Sequence, residues 1–363
     1  VFKSKLHFWT FEILLVVLII YFSTKITFLF KPVVIFTTTL FFPILISGFL
    51  YFLLNPVVDF IERWKAPRTL SILILYVVFI SVISSVIGLI GPTIVNQFHE
   101  LIGSMPFYIA ELRTMIENLY HSSWFQWMVT QEYISFDKIQ NTLTDYVSTI
   151  TNNVSQGFQV VLNVIANVTL IIVTVPFILF YMFKDGDKFP TKVAQFFPKD
   201  YRHEVLRILK ETGETLSIYI RGQMIVSLLV GIFTFIGYLL IGLPYALLLG
   251  LVIAITNIIP YVGPFIGVAP AVIVGLLDSP TKALLVVLIV TIVQQIDGNV
   301  ISPLIIGKRL DTHPLTIIIL LLVAGNFAGI LGMILAVPTY AVSKTIIINL
   351  YRLIQLRQEM KTD

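Results

Sequence analysis

The chain has 363 residues, 57% of them hydrophobic and 12% charged, against roughly 25% charged in ordinary soluble domains, so it reads as a polytopic membrane protein. It contains no cysteine, which excludes a disulfide framework and any thiolate metal or redox site. Its Gly-Lys pair, Gly307-Lys308, is followed by Arg309 rather than Ser or Thr, so no phosphate-binding loop is present for ATP-driven transport. The net charge of +4 includes no basic tract suited to nucleic acid.

About 20 apolar residues cross a bilayer as a helix. Four runs in the first half meet that length: Phe8 to Phe30, Val33 to Leu54, Leu70 to Gly91 and Phe158 to Phe183. The first continues too far past Lys3 and Lys5, with no small-residue cleavage site, to read as a secretory signal. The first two are expected to turn at Lys31-Pro32, and the third to end at Gly91-Pro92, giving an amino-terminal membrane unit over 1–92. Between the second and third lie Asp59, Glu62, Arg63, Lys65 and Arg68, a charged connector suited to the cytoplasmic surface.

From 93 to 156 apolar residues such as Phe98, Leu101, Leu112 and Ile116 recur every three or four positions among polar ones, predicting amphipathic helices outside the bilayer core. The region is acidic and is expected on the extracellular side. A membrane helix over 157–184 then leads to a basic helical connector, 185–221, whose Lys and Arg residues the positive-inside rule assigns to the cytoplasm. A transport core over 222–351 begins with Gln223 to Leu243, and a cytoplasmic tail, 352–363, ends the chain.

The most informative stretch is Thr256 to Pro270, where Asn257, Pro260, Gly263, Pro264 and Pro270 interrupt apolar sequence. Non-helical backbone survives at membrane depth only when buried in protein or lining a wet cavity, a pattern typical of transport pathways. If Tyr245 to Leu277 is a re-entrant hairpin broken around Ile259 to Pro264, then Ala283 to Pro303 crosses inward and Lys308 and Arg309 fall inside. A second break, Gly325 to Gly329, makes Leu315 to Leu350 a hairpin from the inner face, so that the two point at one another and both termini are cytoplasmic.

The strings YFLLNPVVD (Tyr51 to Asp59), YMFKDGDK (Tyr181 to Lys188), YIRGQ (Tyr219 to Gln223), NIIPYVGP (Asn257 to Pro264), QQIDGNVISP (Gln294 to Pro303), Gly307 with His313-Pro314, and GILGMILAVP (Gly329 to Pro338) resemble, in order and spacing over nearly the whole chain, the AI-2E family of bacterial transporters. The family is named for export of the quorum-sensing signal autoinducer-2. Two departures are visible: the acidic position after Gln-Gln-Ile, usually Glu, is Asp297 here, and a Gly-Leu-His-Pro pattern is matched only by Thr312-His313-Pro314. The resemblance implies a multispan all-α bundle in the bacterial cytoplasmic membrane, with two re-entrant elements, assembled as a homo-oligomer, specifically a pentamer. Some similar proteins are described as sodium/proton antiporters, which keeps Na+(Li+)/H+ exchange beside solute export.

Several residues can carry chemistry. Asp297 is an intramembrane carboxyl, and a group alternating between protonated and ion-bound states suits proton or sodium coupling. Its other reading is hydrogen-bonding glue between helices. Gln294, Gln295 and Asn299 lie at spacings expected to place amides beside it on one helix side. Asn257, Pro260, Gly263 and Pro264 offer an unwound backbone as a substrate or ion pathway, with Gly325, Asn326 and Gly329 as the partner element; close helix packing is the alternative role for the glycines. Arg221 and Gln223 can face an inner vestibule, although an interfacial Arg also snorkels for structural reasons. His313 has no metal-spaced partners. No catalytic triad, zinc motif or cofactor site is legible, so H+ or Na+ is the only coupling species expected and an enzyme is the least favoured class. The reading is therefore a secondary transporter exporting a small polar solute such as autoinducer-2. A cation/proton antiporter is the first alternative, and an oligomeric channel or scaffold the second.

Overall fold

Every element described in this computed structural model is helical, as long apolar segments require. In lipid a backbone N–H or C=O finds no water and must be paired within its own segment. The structure describes residues 5–25, 27–120, 169–307 and 313–362. In chain order the helices are α1 (Lys5–Lys25), α2 (Thr27–Glu62), α3 (Arg68–Tyr120), α4 (Thr169–Asp185), α5 (Phe189–Gln195), α6 (Arg202–Leu240), α7 (Ala246–Thr256), α8 (Val262–Asp278), α9 (Pro280–Ile296), α10 (Ser302–Ile305) and α11 (Pro314–Thr362). Among the described residues, five stretches are long and apolar enough to cross a bilayer: Ile35–Glu62, Arg68–Ser104, Lys199–Leu240, Pro280–Ile305 and Pro314–Ile347.

Two expectations for the first half are corrected. Lys31-Pro32 is not the first turn; both residues lie inside α2, and the division falls between Lys25 and Thr27. Pro32 removes only its own hydrogen bond, to the carbonyl at position 28, and leaves the rest of the ladder intact. Likewise Gly91-Pro92 does not end the third span, because α3 continues for 53 residues through Pro92 and Pro106. Unwinding beyond Pro92 would orphan more backbone groups than the single donor the proline lacks. The third span and the start of the amphipathic region are thus one helix, with a contour length of about 80 Å. Residues 121–156, the beginning of the fourth span, and Lys308, Arg309 and Asp311 lie outside the described residues.

α2, α3 and α4 pack through Val58, Ile72, Leu75, Leu179 and Phe183. Hydroxyls supplement this contact: Tyr76 Oη donates to the Pro176 carbonyl at 2.6 Å and Ser47 Oγ to the Val175 carbonyl at 3.2 Å. Arg68 closes the end of this subunit. Its Nε donates to the Phe183 carbonyl at 2.6 Å, and its guanidinium pairs with Glu62 at 3.1 Å and Asp187 at 2.9 Å.

α6 is the hub of the second half. Gly222, Gly231 and Gly237 are the points where neighbours come closest. A Cβ on them would lie 2.7 Å from the Ile306 side chain, 2.4 Å from that of Ala254 and 2.4 Å from that of Ile289, respectively. Glycine at such contacts lets helices approach closely where hydrophobic collapse cannot drive association. Val226, Val230, Leu249, Ile253, Ala271, Val274, Val286, Val290 and Val293 form the core that this approach creates among α6, α7, α8 and α9.

Two hairpins complete the bundle. α7 and α8, of 11 and 17 residues, are about 16 and 25 Å long, each shorter than a hydrocarbon core of about 30 Å. They run back on each other, since a Cβ on Gly263 would fall 1.9 Å from the Thr256 carbonyl oxygen and one on Gly267 would fall 2.9 Å from Ile253 Cα. The break occupies 257–261, with Val262 to Pro264 already helical; Pro264 is tolerated because the first helical turn has no intrahelical partners for its N–H groups. Within α11 the helix breaks at Ala328 (φ −139°) and Gly329 (φ 59°, ψ −143°). A side chain resists positive φ and glycine does not. The arms, 314–327 and 330–362, then pack antiparallel: a Cβ on Gly332 would lie 2.1 Å from the Ala324 carbonyl oxygen, and one on Gly325 would lie 2.5 Å from Met333 Cε. Ile259, at the first tip, packs with Tyr219 and Ile220 against Ile317, Leu321, Ala336 and Val337 along the arms of the second hairpin.

Candidate functional site

The first hairpin ends in a cavity of about 560 Å³ bordered by α6, the 257–261 break, the end of α9 and the second hairpin. Its polar lining comes from four separate places. Tyr219 and Gln223 descend from α6; Asn257 and Tyr261 belong to the break; Gln294 and Asp297 close α9; and Ser302 opens α10. Pro260, Pro264, Gly298, Pro303, Ile306, Gly307, Ile317 and Val337 complete the wall.

Local folding explains how the groups reach it. Tyr261 has φ +61°, a region a bulky side chain enters only when its surroundings impose it. This turn reverses the chain tightly enough to keep Asn257, Pro260 and Pro264 on one side of the tip. Gln223 Nε2 donates to the Asn257 backbone carbonyl at 2.7 Å, pairing a carbonyl that the helix break frees. Asn257 is 3% exposed and Gln223 9%, so this bond ties the tip to α6 in a nearly dry setting. At the end of α9 the ladder widens into one π turn, Asp297–Ile301, where the N–H of Ser302 reaches the Asp297 carbonyl. Single π turns are frequent at functional sites because they re-aim the side chains around them. Ser302 Oγ donates to Asp297 Oδ1 at 2.7 Å, which fixes one carboxylate oxygen of a residue that lines the cavity. Gln294 Nε2 is buried without a hydrogen-bond partner among the described residues. Among the described residues the cavity carries one carboxylate, three carboxamides (Gln223, Asn257 and Gln294), three hydroxyls and no cationic side chain.

Of the residues singled out in the sequence, Gln223, Asn257, Pro260, Pro264, Gln294 and Asp297 come together here. Gly263 stands beside them, but its role is the close contact with Thr256. The expected single polar side of α9 is divided. Gln294 and Asp297 face the cavity, whereas Gln295 and Asn299 are exposed and pair with each other, Asn299 Nδ2 donating to Gln295 Oε1 at 3.0 Å. The reason is angular: consecutive helical residues differ by about 100°, so Gln294 and Gln295 cannot share a face. Gly325, Asn326 and Gly329 lie at the second hairpin's turn and not on the cavity; that hairpin contributes Ile317 and Val337 instead. Arg221 turns toward a separate cavity of about 590 Å³ with Asn55, Asp187, Lys210 and Glu214, and its Nε donates to the Ser217 carbonyl at 3.1 Å. His313 is exposed, its Nδ1 accepting from the Leu315 N–H at 3.3 Å. Tyr219, Tyr261, Ser302 and Gly298 were not singled out by the sequence reading, although all four fall inside the strings quoted above.

The fold and site define a class: an all-α polytopic membrane protein in which a broken hairpin and a π turn border one polar cavity. Residues 13–352 match the AI-2E family transporter profile, and the chain belongs to this family of membrane transporters. It is 54% identical over 361 residues to the "Putative transport protein YueF" of Bacillus subtilis (strain 168), covering 99% of this chain and 98% of that one. YrrI of the same organism, which carries the same designation, is 36% identical over 349 residues, 96% of this chain and 97% of its own length. The "Putative permease PerM" of Escherichia coli (strain K12) is 25% identical over 317 residues, 87% of this chain and 88% of its own length.

Proposed function

We propose that the chain is a secondary transporter of the bacterial cytoplasmic membrane that exports a small polar solute through the cavity at the first hairpin, autoinducer-2 being the solute the family name suggests. The observation that carries this reading is the convergence of Asn257, Gln223, Gln294, Asp297 and Ser302 from distant parts of the chain on one cavity. A solute rich in hydroxyls pairs with amides and a carboxylate, and the unpaired Gln294 amide supplies a donor for an acceptor on the solute. Both termini are cytoplasmic in this proposal, the continuation of α3 is extracellular, and the protein works as a homo-oligomer in quorum sensing.

A second reading, exchange of Na+ or Li+ for H+, is favoured by one feature: among the described residues the cavity holds a single carboxylate, with one oxygen engaged by Ser302, and no cationic side chain. Proteoliposomes with a trapped pH dye separate the two. Sodium-driven proton flux in the native protein, absent in Asp297→Asn, supports the antiporter. Proton flux absent in a folded, oriented preparation together with saturable uptake of labelled autoinducer-2 supports the exporter. Gradient-independent, non-saturating conductance refutes both and leaves a channel.

A further inference from the structure

The second half contains a buried polar feature that the cavity does not use. On α6, Gln223, Ser227, Gly231, Thr234 and Tyr238 recur at spacings of four, four, three and four, which place them on one face of a helix. All five are buried; Ser227 is 3% exposed, and Thr234 and Tyr238 are 0% exposed. Among the described residues, Ser227 Oγ, Thr234 Oγ1 and Tyr238 Oη have no hydrogen-bond partner.

A hydroxyl inside an apolar helix ordinarily has a local solution: it donates to the carbonyl four residues back. This chain uses that solution repeatedly. Thr212 donates to Ile208, Thr256 to Val252, Thr291 to Val287, Ser343 to Thr339 and Thr345 to Ala341. Ser227 and Thr234 on α6 do not, although the same carbonyls are within reach of a rotamer change. Valine or alanine would fill these places without an unmet donor, and apolar replacement of an unpaired buried polar group is near neutral or stabilising. The hydroxyls therefore answer to something other than packing of the state described.

Their position says what. The face begins at Gln223, in the cavity wall, and extends through Tyr238, a rise of about 22 Å at 1.5 Å per residue. At its middle, Gly231 meets α7 of the first hairpin at Ala254 and Gly250, with only small side chains between the backbones. At Gly231 itself no large side chain is interposed, so separation is opposed there by the α7 core residues Leu249 and Ile253 rather than by this contact. We propose that the α6–α7 interface, along Ser227, Thr234 and Tyr238, is the second leg of the translocation route: closed here by the first hairpin, and lined by hydroxyls that meet water or solute when α7 moves away. The proposal rests on the transport reading of the cavity, and it assigns the side of the bundle through which that cavity empties.

The absence of native cysteine makes the test direct. Single variants Ser227→Cys, Thr234→Cys, Ser302→Cys and Val226→Cys are reconstituted and exposed to a small hydrophilic methanethiosulfonate and to Ag+. Ser302 reports on the cavity. Val226, 1% exposed on the same helix but off the hydroxyl face, reports on non-specific access. The expected result is modification at 227, 234 and 302 at rates at least tenfold above that at 226. Modification at 302 alone overturns the second leg while leaving the cavity reading standing; modification at none of the three overturns both; equal modification at 226 and 234 shows general opening and overturns the assignment to this face. Thr234→Val adds an independent readout, with an unchanged or higher thermal midpoint and flux reduced several-fold. Flux and midpoint falling in proportion would mark Thr234 as a packing residue and overturn its place in the route.

Discussion

Replacing Gly263 by alanine tests the first hairpin most sharply. The added Cβ would lie 1.9 Å from the Thr256 carbonyl oxygen, 2.6 Å from its carbonyl carbon and 3.0 Å from Asn257 Cα. All three are backbone atoms, so no side chain can yield. Ordinary contact begins near 3.4 Å, and reaching it requires the arms to part by roughly 1.5 Å at the tip. Overpacking of this kind costs about 1–3 kcal/mol, and a backbone obstacle places it in the upper part of that range. Alanine's better helix propensity returns at most about 1 kcal/mol, leaving a net loss of about 2 kcal/mol. The displacement also matters locally, since the Gln223 bond to the Asn257 carbonyl is 2.7 Å long and a 1.5 Å shift would take it out of hydrogen-bond range. Gly88→Ala is the control, because a Cβ there meets nothing within 4 Å. Thermal unfolding in detergent and flux in proteoliposomes are measured for both variants. Gly263→Ala is expected to lower the midpoint by several degrees and to cut flux at least several-fold, with Gly88→Ala keeping its flux and an equal or slightly higher midpoint. A Gly263→Ala protein matching the native one in both assays would refute the described approach of α7 to α8.

Asp297→Asn preserves an acceptor for Ser302 but removes the charge, so the fold and midpoint should hold while ion-coupled flux falls at least tenfold; retained coupling would exclude Asp297 as the coupling group. Gln223→Met leaves a buried carbonyl unpaired at a cost of about 1–3 kcal/mol, and hydrogen exchange should show the 257–261 segment opening more readily. Gln97→Ala removes the Oε1 that accepts from the Leu248 N–H at 3.0 Å, a cap supplied across the fold to the first turn of α7, and should cost about 0.5–2 kcal/mol in thermal stability. In Arg68→Lys a single ammonium replaces a fork serving the Phe183 carbonyl, Glu62 and Asp187. It cannot satisfy all three at once, and faster proteolysis at the α4–α5 connection should report the loss.

The 257–261 break was legible because several helix-breaking residues in an apolar run have few interpretations at membrane depth. Asp297 was legible because an isolated carboxyl stands out in such a run. Ser302 was not: one serine in QQIDGNVISP carries no signal until the π turn places it against Asp297. Pro92 and Pro32 misled for the converse reason, since a proline's local preference is weaker than the penalty for unpaired backbone on either side of it. The separation of Gln295 and Asn299 from Asp297 follows from helix periodicity, but which of the two sides meets the cavity needed the orientation of α9, which its neighbours set.

Composition and apolar length alone determined that this chain is a multispan helical membrane protein with two interrupted segments, because transfer into lipid depends on runs of residues and is additive along the chain. Tertiary structure alone decided that Tyr219, Gln223, Asn257, Gln294, Asp297 and Ser302 share one cavity, that Gly325 to Gly329 stand apart from it, and that three buried hydroxyls of α6 have no partner among the described residues. Those outcomes depend on helix rotation and on close approach at individual glycines, contacts between residues far apart in sequence that no local pattern records.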